Sequence, residues 1–338
     1  MQNRRDLLKG TAAATGLAVT GFPFIARAQN VKTLRFSHTD TSIGARQQAA
    51  EMFAAAVEKY TSGRYKVQVF HSGQLANDAK SLDQLQLGGL DFAVTGVVTF
   101  TPHVKDLSLV ALPYLAENYE QGWKLYDSSK FIQQQADQLP AKGMRVIGNW
   151  EAGFRSFTTN FPLNSPADAK GKKLRIAPVE MIRWIMESIG FSPVVMPVTE
   201  VYLGIQQNTV SGQENPIDTI FSQRFYEVAK YVTLSQHVYS PLWLAMAERS
   251  FKGMSAEDQQ GVIKAAKESG DWNRKEVRAN DDKLLAEMTA KGATITKPDL
   301  SIWRKASEGA YDRARKEFGA AAVDQMLNEA AEIRKSMS

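Results

Sequence analysis

Residues 171–178 read GKKLRIAP. Lys173 to Ile176 has the makeup of a short strand, and Pro178 lies two residues past its last member. An apolar periodic segment, Val179 to Ile189, follows with helical spacing. Then come a strand at Pro193–Met196 and a helix at Glu200–Gln207. The first half of the chain carries the same alternation. Thr33–Phe36 reads as a strand, and Ala49, Met52, Phe53, Ala56, Val57 and Tyr60 recur at helical spacing until Gly63. Tyr65–Phe70 alternates as a strand, Ala79–Leu87 is helical, and Asp91–Val94 is a third strand. Short connections between alternating strands and helices imply an α/β fold with parallel strand pairs. A polar helical stretch, about 117–138, and strands at Arg145–Gly148 and Arg155–Thr159 join the two halves. From Ser255 onward the chain is mostly helical, apart from a strand-like Ala293–Thr296. The layout is two α/β lobes and a helical tail that can pack across both.

An arginine inside an apolar strand asks for an explanation. Arg175 has a counterpart in WEAGFRSFTTN (150–160), where Arg155 occupies a similar setting. Ligands of α/β lobes sit at the carboxyl ends of strands. A guanidinium fork matches a carboxylate bidentately, and a desolvated cation is costly until an anion pairs with it. Arg155 and Arg175 therefore fit a carboxylate receptor. The alternative is that either is a surface residue, or is paired with Glu or Asp inside the fold.

The chain has 338 residues, 43% hydrophobic and 23% charged, which suits two globular domains. Its net charge of +5 is partly local to the N-terminus, where Arg4, Arg5, Lys9 and Arg27 outnumber Asp6. The remainder carries no basic block, which argues against nucleic acid as a partner. Residues 1–28 read as an export signal: a basic start, a weakly apolar run from Thr11 to Ile25, and Ala26-Arg27-Ala28 as a small-x-small cleavage site. Arg4-Arg5-Asp6-Leu7-Leu8-Lys9 fits the twin-arginine type, with an ordinary secretory signal as the alternative. Both place the mature chain, from about Gln29, outside the cytoplasm. Cysteine is absent, which removes disulfides, thiolate metal sites and a lipid-anchored cysteine. The mature protein is thus expected to be soluble and unanchored.

Enzyme motifs are missing. The four histidines, His38, His71, His103 and His237, form no metal-binding pair, and there is no G-x-S-x-G elbow, P-loop or dinucleotide fingerprint. No cofactor or metal is expected.

GKKLRIAP, MPVTEVYLGIQQNTVSGQENP (196–216) and FYEVAKYV (225–232) together resemble the substrate-binding proteins of tripartite ATP-independent periplasmic (TRAP) transporters, the DctP family. AAEMFAAAVEKYTSGRYKVQVF, GQLANDAKSLDQLQLGGLDFAV and LPYL extend the resemblance over essentially the whole mature chain. It implies a two-lobe periplasmic-binding-protein fold with a hinge and long helices crossing the lobes. Residues 29–152 with about 241–279 would form lobe I; 153–240 with about 280–338 would form lobe II and the tail. It further implies that Arg175 grips the ligand carboxylate, that Arg155 assists, and that Asn215 hydrogen-bonds the ligand with Gln213 and Glu214 nearby. By its own chemistry Asn215 is also a turn residue before Pro216.

In the first lobe the resemblance points to the end of the first strand, Ser37 to Asp40, where Thr39 is offered with His38 beside it, and to Asn77 and Asp78. His38 could bond a ligand hydroxyl or be merely solvated. Asp78 could accept from a hydroxyl or cap the helix after it. Relative to sialic-acid-binding members, Thr39, Gly96 and Val198 replace an asparagine, a glutamate and a phenylalanine, which disfavours an N-acetylated sugar. Trp150, Phe154 and Trp243 could line the cleft and favour a ring-shaped acid, or be core. The implied function is capture of an organic acid and its delivery, as a monomer, to a TRAP membrane permease driven by an ion gradient. The alternatives are a receptor that presents the ligand to a sensor kinase, and a periplasmic enzyme acting on organic acids.

Overall fold

The alternation expected in the first half forms three strands, β1 (Lys32–Ser37), β2 (Tyr65–Phe70) and β3 (Phe92–Gly96), with β1 parallel to both others. Helices Ala45–Tyr60 and Asp78–Leu87 connect them. These coordinates are a computed structural model that describes residues 31–337. The expected export signal, 1–28, lies outside the described residues.

Four further strands follow before the tail's connection: β4 (Met144–Thr159), β5 (Lys173–Ile176), β6 (Ser192–Val195) and β7 (Gly212–Pro216). β5 is parallel to β6 and β7. β8 (Tyr231–Ala247) and the short β9 (Thr294–Thr296) complete one mixed sheet in the order β2-β1-β3-β8-β4-β7-β5-β6, with β9 on β8. The α/β, two-lobe reading of the sequence holds: β1–β3 and β5–β7 make the two halves.

The join between the halves differs from the sequence expectation. The strands expected at 145–148 and 155–159 are one 16-residue strand, β4. It runs antiparallel to β8, with shifts of register at Val146/Gly148, Glu151/Gly153 and Arg155/Phe157. Gly153 has φ +107°, and a Cβ there would lie 2.8 Å from the Tyr119 hydroxyl, so only glycine fits this bulge. Pro241, whose missing N–H would break a regular ladder, pairs with Glu151 at that same irregularity.

The polar stretch expected as one helix divides at Ser129, whose Oγ accepts from the Ile132 N–H at 3.1 Å and caps a second helix, Lys130–Ala136. In the tail, Ala256–Ala290 is a single 35-residue helix capped by Ser255. It lies against β4: a Cβ at Gly270 would be 2.6 Å from the Asn149 carbonyl, and Asn273 Oδ1 accepts from the Glu151 N–H at 2.7 Å.

Three apolar clusters hold these layers. One gathers Phe36, Phe53, Phe92 and Trp150 beneath the long helix, and another Val201, Ile220, Phe225 and Met288. The largest takes Leu85 and Phe100 from the first half together with Phe157, Ile185 and Trp303.

Candidate ligand-binding site

β5 lies between β6 and β7, so a side chain on it has little access to water. Arg175 is 3% exposed. Its Nε donates to the Met196 carbonyl at 2.8 Å. Its other two guanidinium nitrogens have no hydrogen-bond or ion-pair partner among the described residues, and the group faces a cavity of about 80 Å3. Burial pulls its pKa down to about 10; Glu214 opposes that shift, Arg155 adds to it, and Asp78 opposes it. A buried cation with an open fork is an arrangement that an anion would relieve.

Arg155, on β4, lines the same cavity but is already paired. Its Nε and Nη2 hold the Glu214 carboxylate, with Nη2–Oε1 at 2.7 Å. Nη2 also donates to the Glu214 carbonyl at 2.6 Å and to Asn215 Oδ1 at 3.1 Å, and Nη1 donates to Ser240 Oγ at 3.3 Å. Of the two alternatives open for the arginines, the internal pair applies to Arg155 and the unpaired state to Arg175.

Glu214 is fully buried behind Arg155 and lies 3.2 Å from His237 Nε2. Burial alone would raise its pKa; the Arg155 charge, then hydrogen bonds from His237 and Arg155, overcome this and hold it at about 2. His237, stacked on Phe157 with ring centroids 4.6 Å apart, is pushed down by burial. Glu214 thus fixes Arg155 and does not reach the cavity wall. Gln213 is also fully buried: it donates to Thr158 Oγ1 at 3.1 Å and accepts from the Asn215 amide. Asn215 reaches the wall and is held by both neighbours.

The opposite wall comes from the first half. Thr39 Oγ1 donates to Asp78 Oδ1 at 3.0 Å, and both residues line the cavity. Asn77, not Asp78, caps the following helix, through Oδ1 and the Lys80 N–H at 3.0 Å. That leaves the Asp78 carboxylate free of the capping role. Arg46 Nη1 approaches Thr39 Oγ1 at 3.5 Å, and Arg46 has no carboxylate partner among the described residues. Gln223 Nε2 donates to the Thr39 carbonyl at 3.0 Å, and Ser222 Oγ to Asp40 Oδ1 at 2.6 Å, tying the two walls together. Thr95 and Thr99 share a hydroxyl hydrogen bond of 3.0 Å beside Gly96. Thr39, Gly96 and Val198, the three positions that depart from sialic-acid binders, all line the cavity.

Four of the candidate residues lie elsewhere. His38 is neither solvated nor on the wall: it is 1% exposed, 2.8 Å from Gln47 Oε1, and burial followed by the nearby Arg46 charge takes its pKa to about 3. Trp150 is core, edge-on to Phe36 at 6.1 Å and covered by Gly270 of the long helix. Trp243 is core against Phe100 at 5.3 Å. Phe154 packs between Tyr119 and Tyr239. Among the described residues the cavity therefore has no aromatic wall to stack a ring-shaped acid.

Arg46 and Gln223 line the cavity without having been expected there, whereas Asp40 closes the Ser37–Asp40 stretch that was. Arg46 stands in the first turn of Ala45–Tyr60, which starts at Gly44 with no side-chain cap. A helix start read at Ala49 leaves Arg46 in the loop; a turn-rich loop ending in Gly-Ala-Arg was the available signal.

Comparison with known proteins gives the chain a family. Residues 36–317 match the family model for DctP, described as bacterial extracellular solute-binding protein, family 7. The chain is 31% identical over 279 residues to the sialic acid-binding periplasmic protein SiaP of Vibrio cholerae, covering 82% of this chain and 87% of that one. It is 29% identical to the C4-dicarboxylate-binding periplasmic protein DctP of Rhodobacter capsulatus, covering 94% and 96%. Among solved structures, a TRAP periplasmic solute-binding protein from Polaromonas, bound to D-erythronate, matches with a TM-score of 0.84 at 30% identity, covering 88% of this chain and 98% of that one. With a buried open arginine fork between two α/β halves, and a family match over most of its length, this chain belongs to the DctP family of bacterial extracellular solute-binding proteins.

Proposed function

We propose that this protein is the substrate receptor of a TRAP transporter, which captures an organic acid and hands it to the membrane permease. The observation that carries this reading is the open guanidinium fork of buried Arg175 in a polar cavity. The acid's carboxylate takes the two free nitrogens of Arg175, with Asn215 beside it and Arg155 held in place by Glu214. In this reading the lobes are 29–152 with about 241–279, and 153–240 with about 280–338. They close when an acid bridges Arg175 and the wall carrying Thr39 and Asp78, to the extent that it binds the closed form better than the open one. The receptor works as a monomer in the periplasm, exported by its Arg4-Arg5 signal, and needs no cofactor. No helix among the described residues is long and apolar enough to cross a membrane. A thermal-shift screen of organic acids with neutral sugars as controls tests this: a ligand that binds only the folded state raises stability by RT ln(1 + [L]/Kd). The expected result is a shift from at least one acid that disappears in Arg175→Ala; shifts from neutral compounds alone would overturn the reading.

A further inference from the structure

Arg175 supplies a carboxylate anchor, but what lies across from it decides which acid fits. The wall from the first half presents Asp78 and Asp40 as acceptors and Arg46 as a donor, the Thr39 hydroxyl proton being already given to Asp78. Asp78 spends one oxygen on Thr39 at 3.0 Å and is not the cap of its helix, since Asn77 is. A hydroxyl group both donates and accepts, so it can give its proton to Asp78 and take one from a neighbouring donor. A carboxylate only accepts, so against Asp78 it would set lone pairs against lone pairs and a charge against a like charge in a confined cavity. Arg155 does not change this balance, because Glu214 already neutralises it, and Arg46, the cation of that wall, is set against two carboxylates, Asp40 and Asp78.

We infer that the cavity is built for a monocarboxylate bearing hydroxyl groups, with Asp78 as the specificity residue that binds a hydroxyl and rejects a second carboxylate. The inference rests on the receptor reading above and narrows its ligand. Hydroxyls distal to the acid lie against the Asp78–Thr39–Arg46 row, while the acid itself lies on Arg175. The carbon chain runs along Val98 and Val198.

Calorimetric titration of the full chain with matched four-carbon and six-carbon acids tests this. Each length is represented by the polyhydroxy monoacid, the unsubstituted monoacid, the unsubstituted diacid and the hydroxylated diacid. The expected result is that the polyhydroxy monoacid of one length binds about a hundredfold or more tighter than every other acid of that length, because a site built to bond a hydroxyl discriminates strongly against its absence. In Asp78→Asn, which keeps the size and one acceptor, the monoacid should weaken about tenfold while the diacids gain. A wild-type diacid that binds as tightly as the hydroxylated monoacid, or an unchanged selectivity ratio in folded Asp78→Asn, overturns the inference and leaves the receptor reading standing. The wild-type comparison decides the matter even if Asp78→Asn does not fold. Absence of binding by every acid overturns the receptor reading and this inference with it.

Discussion

Glu214 takes both Nε and Nη2 of Arg155 and leaves Arg175 without a carboxylate. Two arginines twenty positions apart thus share one cavity in opposite states, one ion-paired within the fold and the other with its fork open to the cavity.

Replacing Arg175 should separate binding from stability. Arg175→Met removes the anchor, and affinity for the acid should fall by a hundredfold or more in calorimetry. The ligand-free protein should be no less stable, and up to about 1–4 kcal/mol more stable, since a well-packed apolar side chain replaces a buried, incompletely paired charge. Arg175→Lys keeps the charge and loses the fork, so it should bind weakly as well. Near-normal affinity in either variant would remove Arg175 from its role.

Glu214→Gln should do the reverse. It strands Arg155 as an uncompensated buried charge, which costs about 3–5 kcal/mol in denaturant unfolding. The Glu214 carboxyl is held at about 2, below its ordinary 4.5. Its contribution is therefore fully present above pH 4.5 and is lost as pH falls toward 2. Wild type should lose stability across that window more steeply than Glu214→Gln, and equal slopes would show that the pair does not govern the acid limb.

Glu151 should act in the opposite sense. Burial pushes its carboxyl up to about 7, against hydrogen bonds from Tyr239, Trp123 and the Gly153 N–H that pull it down. A folded-state value above the unfolded one means that protonation favours the fold. Its stabilising effect is fully present below about pH 4.5 and is lost as pH rises through 7. Melting curves between pH 5 and 8 should therefore decline in wild type and decline less in Glu151→Gln.

Gly153→Ala should destabilise by about 1–3 kcal/mol, because its φ of +107° suits only glycine and the new methyl meets the Tyr119 hydroxyl. If the variant melts like wild type, β4 can relax at this point without strain.

Much of the fold was legible because its units are local. Tyr65–Phe70 and Lys173–Ile176 take the bounds that alternation gave them, and each strand is followed by a helix with its own periodicity. β8 was not legible: it runs 17 residues, far beyond an ordinary strand, and contains Pro241, which argues against a central strand until the bulge opposite it is known. The site was legible in part. Arg175 carries its own signal, a charge in an apolar strand. The pairing of Arg155 with Glu214 depends on the register of β4 against β7, where Arg155 faces Pro216, and no local pattern records a partner 59 positions away. Trp150 illustrates the same limit. Its burial is set by a helix more than a hundred residues later, through the absence of a side chain at Gly270.

Continuous strands through the join set how the molecule can move. β4 and β8 are paired side by side from Met144–Ala247 to Thr159–Tyr231, so the halves are not strung on slack tethers. Such a pair behaves as a leaf spring. It should resist twisting and splaying, and yield where its ladder is interrupted, at Val146/Gly148, Glu151/Gly153 and Arg155/Phe157. On the proposed receptor reading, closing over a ligand would be travel along one track, and reopening would draw on the elasticity of the strands themselves.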